Sequence, residues 1–262
     1  MAVPSELHDH VVSGHVVQLY GSDSRPLINN VSRILADALT RGEGALVIAT
    51  PQHRNAICQQ LWTHGISPVD AEQEQRLLLI DAGKTLAQFM IAGQPDWDRF
   101  ESVIRGVLRR IQPENPQAGG HAFGEMVALL WKARRFSEAI RLEHYWNRIL
   151  HSGGFSLFCG YPVDVFAPDF HSDEMDAVIC AHSTLLPTND RIESVLHCAM
   201  DEVLGPLGAQ VRDVFQHQLQ TAPSSLPPGE ALVRWLRANM TGDSEKILKR
   251  ARRHFGKPHP NS

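Results

Sequence analysis

Two rhythms of apolar residues alternate along the first 160 positions. Short, largely apolar runs occur at Val16 to Tyr20, Ala45 to Ala49, Leu77 to Ile80 and Phe155 to Cys159, and a further short one, His121 to Met126, leads through Gly124-Glu125. Each is bounded by turn residues and reads as a strand. Between them, apolar residues recur at three- and four-residue spacing. Leu27, Val31, Leu35, Ala38 and Leu39 follow Pro26, a residue tolerated in a first helical turn. Thr50-Pro51 is a helix-start signal, with Ile57 and Leu61 facing inward until Gly65. A short helix closes at Phe89, and Trp97, Phe100, Ile104, Val107, Leu108 and Ile111 mark the next. After the loop QPENPQAGG and the fourth strand, Ala133 to Leu150 places Phe136, Ile140, Trp146 and Ile149 on one face. Gly153-Gly154 stops that helix. The final run is relieved only by Ser156, as expected of a strand covered on both faces. Strand and helix alternation of this kind predicts an α/β domain: a mostly parallel sheet of about five strands with helices on both faces.

After Phe166 the pattern becomes helical. A short helix is expected near 173–183. From Asn189 to Gln220 the apolar residues predict one long helix, or two broken at Gly205-Pro206. TAPSSLPPG is a linker by composition, and Gly229 to Met240 and Ser244 to Phe255 are two short helical patterns, the last strongly basic. The expected organisation is a tail at 1–14, an α/β domain at 15–170, a helical extension at 171–222, and a linker with a basic helical tail at 223–262.

Composition adds limits. The chain has 262 residues, 43% hydrophobic and 21% charged, enough for a packed core. A net charge of -4 gives no argument for steering toward nucleic acid or membrane. No apolar run approaches the roughly 20 residues of a membrane helix, and MAVPSELHDHVV has no secretory pattern. Cys58, Cys159, Cys180 and Cys198 are scattered, which suits reduced thiols in a cytoplasmic protein.

Ligands of open parallel sheets bind at the carboxyl ends of the strands. The candidate ligand-binding residues are therefore the strand exits: Tyr20, Asp23, Thr50, His53, Asp81, Glu125 and Tyr161. Glu125 stands out, because a carboxylate closing a buried strand must line a cleft or be paired, with Arg134 or Arg135 as candidate structural partners. The first strand-to-helix loop, Tyr20 to Arg25, lacks a Gly-Lys-Ser/Thr element and carries Asp23, which would repel phosphate. Gly83-Lys84-Thr85 has that element but Leu78 replaces the first glycine of the pattern. The histidines, His8, His10, His15, His171 and His182 among them, form no metal-ligand spacing, so no metal and no cofactor are expected. There is no Gly-x-Ser-x-Gly elbow.

Taken in order, HVVQLYGSD, RGEGALVIATPQHR, RLLLIDAGKTL, FGEMVALLW, LEHYWNRIL and FCGYPVDVF resemble the MEDS family of sensory domains. The resemblance spans about residues 15 to 166. It implies a RecA-like fold with a degenerate phosphate loop, used in prokaryotic signal transduction, including two-component regulation. The chain departs from the family where Gly83-Lys84-Thr85 replaces a more acidic turn, and no kinase or DNA-binding module is attached. The function expected is a non-catalytic cytoplasmic sensory module. It would bind a small ligand or a partner protein at the strand ends and relay this through the C-terminal helices. The partner would be a signalling protein such as a histidine kinase or regulator. Nucleic acid and membrane are not expected partners, and self-association through the long C-terminal helix is left open. Two other readings stand beside it: a RecA-like nucleotide-binding ATPase or phosphotransferase using Lys84 and Glu125, and a transcription regulator using the basic tail.

Overall fold

A computed structural model describes residues 14–111, 119–222 and 224–255. The expected N-terminal tail, most of the QPENPQAGG loop and the last residues of the basic tail lie outside the described residues. The chain runs through β1 (His15–Leu19), α1 (Arg25–Thr40), β2 (Gly44–Ala49), α2 (Pro51–Thr63), α3 (Pro68–Gln73), β3 (Leu77–Asp81) and α4 (Ala82–Phe89). A hairpin of β4 (Met90–Ile91) and β5 (Gln94–Pro95) leads to α5 (Trp97–Leu108), β6 (Gly120–Gly124), α6 (Met126–Lys132), α7 (Phe136–Leu150) and β7 (Phe155–Tyr161). A single 3-10 turn at Pro168–His171 precedes α8 (Asp173–Ala181) and β8 (Thr184–Leu186). The chain then continues through α9 (Ile192–Leu204), α10 (Leu207–Thr221), α11 (Pro228–Asn239) and α12 (Ser244–Phe255).

The protein is α/β, as the apolar rhythms predict. Six strands form one sheet in the order β3-β2-β6-β7-β1-β8. β2 pairs in parallel with β3 and with β6, and β6 in parallel with β7. The register sets Ala49 against Asp81 and Ile48 against Gly124, so the exits of β3, β2 and β6 end level. β2 is buried along its whole length, which accounts for its unbroken apolar run GALVIA.

Three local details depart from the expectation, and a fourth selects one of its two alternatives. The helix expected at Ala133 to Leu150 begins at Phe136 as α7, and the residues before it form a separate α6, the two parted where Arg134 takes a left-handed φ of 56°. That conformation is uncommon for a residue with a Cβ and interrupts the helical hydrogen bonds. α3 and the β4–β5 hairpin are additional, the hairpin turning through Ala92 and Gly93, both at positive φ. β8 is a sixth, three-residue strand. The segment from Asn189 is the broken alternative: Gly205, at φ 57°, ends α9 and Pro206 precedes α10.

The described residues form two compact units. The first comprises the residues up to Val16 together with Ile28–Gly160, and the second Val17–Leu27 together with the residues from Tyr161 on. In the first unit, Phe89, Trp97, Phe100, Tyr145 and Trp146 make an aromatic cluster, with Trp146 edge-on to Phe100 at 5.2 Å. In the second, α9 is the central helix, packed by α10, α11 and α12. Ile247, Leu248 and Ala251 of α12 are buried. Three of its basic residues are engaged: Arg250 and His254 pair with Glu202 at 2.7 and 2.8 Å, and Arg252 with Asp164 at 2.6 Å.

Candidate functional site

The level exits of β2, β3 and β6 bring four predicted residues of the first unit to one rim: Thr50, His53, Asp81 and Glu125. Glu125 follows β6, and its own N–H donates to Ile48 of β2 at 2.8 Å. Its side chain is fully buried. One carboxylate oxygen accepts from the Thr50 N–H at 2.8 Å and the Thr50 hydroxyl at 3.0 Å. The other lies 2.7 Å from His53 Nδ1. Arg134 and Arg135 are not the partners; Arg135 pairs with Glu138 at 3.1 Å.

The chain reason for this arrangement is the start of α2. Thr50 is its N-cap and Pro51 supplies a fixed φ, but the Thr50 hydroxyl does not cap its own helix. In a capping box, a glutamate at the third helical position reaches back to the N-cap N–H. Here His53 occupies that third position and Glu125 supplies the carboxylate from the neighbouring strand. The carboxylate also meets the positive end of the helix. Burial pushes the Glu125 carboxyl up, but His53 and the Thr50 N–H and hydroxyl outweigh it, leaving the group below the usual carboxylate range.

Asp81 caps α4: its carboxylate accepts the Lys84 N–H at 2.8 Å, and its carbonyl accepts the Thr85 hydroxyl at 2.7 Å. The Gly83-Lys84-Thr85 turn thus holds an acid at the N–H groups where a phosphate loop would present them to its ligand.

The other three predicted residues belong to the second unit. Tyr20 and Tyr161 are buried and joined through the backbone, the Tyr20 N–H donating to the Tyr161 carbonyl at 2.8 Å. Asp23 is held by Arg25 at 2.8 Å, and that side-chain bond lowers its carboxyl pKa against a smaller opposing effect of burial.

A second cluster of the first unit escaped the sequence reading. His15, Glu143 and Cys159 are buried together. His15 Nε2 lies 3.2 Å from Glu143 Oε2 and 3.4 Å from Cys159 Sγ, and Sγ is 3.7 Å from the same carboxylate oxygen. His15 Nδ1 is 2.9 Å from Asn147 Oδ1. Burial, with Glu143 beside it, pushes the Cys159 thiol well above its ordinary value. The available signal was a glutamate on the apolar stripe of α7, between Leu142 and Trp146.

The sequence matches the profile of the MEthanogen/methylotroph, DcmR Sensory domain, MEDS, over residues 14–183. The chain belongs to the MEDS family. That match covers more than half of its length and takes in both the strand-exit rim and the His15–Glu143–Cys159 cluster. No curated protein matches the sequence. MEDS is a sensory domain family, which associates this chain with signalling. Among the described residues no helix is long and apolar enough to cross a membrane.

Proposed function

We propose that this MEDS protein is a non-catalytic cytoplasmic sensory module. Its first unit binds a small polar ligand at the rim of Thr50, His53, Asp81 and Glu125, and occupancy is passed to a signalling partner, of histidine kinase or regulator type, through the C-terminal helices. The observation that carries this reading is Glu125, a fully buried carboxylate at a strand exit. It is bonded to the first turn of α2 rather than to an arginine. A ligand that competes for His53 or Thr50 would change how that helix end is held, and only such differential contact shifts a population. The acid at Asp81 opposes phosphoryl transfer as an alternative, because phosphate stabilisation is most of that chemistry.

The test is thermal unfolding of the full chain against a panel of small amines, alcohols and carboxylates, repeated with His53→Ala. A compound that stabilises the parent and loses its effect in the variant supports the rim. A panel without effect on the parent, or with equal effect on both, counts against it.

A further inference from the structure

We propose that His15, Glu143 and Cys159 form a binding site for a zinc-class divalent cation, separate from the strand-exit rim. The three donors come from the start of β1, the buried face of α7 and the middle of β7, and their ligand atoms lie within 4.8 Å of one another. Their spacing is that of the corners of a tetrahedron. With metal–sulfur, metal–nitrogen and metal–oxygen bonds of about 2.3, 2.0 and 2.0 Å, tetrahedral donors stand about 3.3 to 3.5 Å apart. The observed separations are 3.2, 3.4 and 3.7 Å. The cation would sit among the three atoms with adjustments of a few tenths of an ångström.

Charge points the same way. Glu143 is wholly buried, and buried charges are paired or coordinate metals. A thiolate and a carboxylate around a divalent cation, with a neutral imidazole, sum to zero, so the loaded cluster buries no net charge. The histidine is prepared for this role. With Asn147 Oδ1 accepting the Nδ1 proton in the loaded site, Nε2, the ring nitrogen that faces the sulfur and the carboxylate, would be the metal-binding atom. Nitrogen, sulfur and oxygen together suit zinc better than magnesium or calcium, which take oxygen donors. Loading exchanges the Cys159 thiol proton for the metal: the S–H bond breaks, a metal–sulfur bond forms, and one proton leaves to solvent.

The experiment uses the full chain with Cys58, Cys180 and Cys198 changed to serine, so that Cys159 is the one thiol. The chain is refolded with cobalt(II) as spectroscopic probe, then with zinc for metal analysis. One cobalt per chain with a near-ultraviolet sulfur-to-cobalt charge-transfer band is expected. The band should vanish in Cys159→Ser, and Asn147→Ala should weaken zinc binding by about 10- to 100-fold, as loss of a supporting shell does. A missing band, or one that persists in Cys159→Ser, overturns the site. If Cys159→Ser fails to fold, alkylation of Cys159 in the parent is followed by peptide mass spectrometry at a urea concentration that exposes it. Zinc must slow that labelling, and equal rates with and without zinc overturn the proposal.

Discussion

Replacing Glu125 by glutamine removes one charge and almost no volume, and so isolates what the carboxylate does. Three contacts reach it in the native protein: the Thr50 N–H at 2.8 Å, the Thr50 hydroxyl at 3.0 Å and His53 Nδ1 at 2.7 Å. Hydrogen bonds to a charged group are worth about 1 kcal/mol more than neutral ones, so the three lose about 3 kcal/mol. Relief from burying the charge returns part of that. A net loss of about 2 kcal/mol lowers the midpoint of thermal unfolding by about 4–8 °C for a protein of this size. If the loss is confined to the helix end, the Thr50 amide instead exchanges about 30-fold faster, at about 1.36 kcal/mol per tenfold. Because the folded carboxyl lies below its usual range, its contribution is complete above the unfolded value of about 4.3 and is lost as pH falls toward the lower folded one. The gap between parent and Glu125→Gln should be wide at pH 7 and close on acidification. Calorimetry across pH, with amide exchange at Thr50, measures both. Midpoints within about 1 °C at pH 7 together with unchanged exchange would refute the long-range cap.

Glu230 should behave in the opposite sense. Burial, only partly offset by the Thr188 N–H at 2.7 Å, raises its carboxyl, so the folded state loses stability as pH rises from about 4.3 through that raised value. Glu230→Gln keeps an acceptor for Thr188 and should raise the unfolding midpoint at pH 8 but not at pH 4; an unchanged midpoint at both counts against it. Trp146→Ala removes a buried ring that packs edge-on against Phe100 and should cost about 3–5 kcal/mol in urea unfolding. Mg-ATP should show neither saturable heat nor phosphate release, and turnover would overturn the reading of Asp81 as a helix cap. Duplex DNA should show no salt-dependent shift, because Arg250, Arg252 and His254 are already paired within the second unit.

How much of this was legible follows from how far each interaction reaches along the chain. The run GALVIA in β2 announces a strand because burial along its whole length leaves no place for polar residues. Thr50-Pro51 announced the start of α2, while the carboxylate that completes its cap stands 75 residues later and has no local signature. The break before α7 was hidden because Arg134 takes a left-handed φ of 56°, which is uncommon for a residue with a Cβ and is not announced by the residue type. The strand-exit rule located Thr50, His53, Asp81 and Glu125 from topology, and it could not reach a cluster built in mid-sheet. His15 and Cys159 are 144 residues apart, and histidines and cysteines scattered at that distance show no ligand spacing.

The cap on α2 also makes that helix a lever. Thr50 is fixed by a side chain from the next strand, and Trp62, more than half exposed, stands near the other end. Twelve residues at about 1.5 Å each put the tryptophan about 18 Å from the fixed point, so a 5° tilt at the capped end moves the indole by about 1.5 Å. A disturbance of one buried carboxylate would thereby displace a surface fluorophore, and in a chain whose other four tryptophans are replaced by phenylalanine the emission of Trp62 would gauge what happens at Glu125.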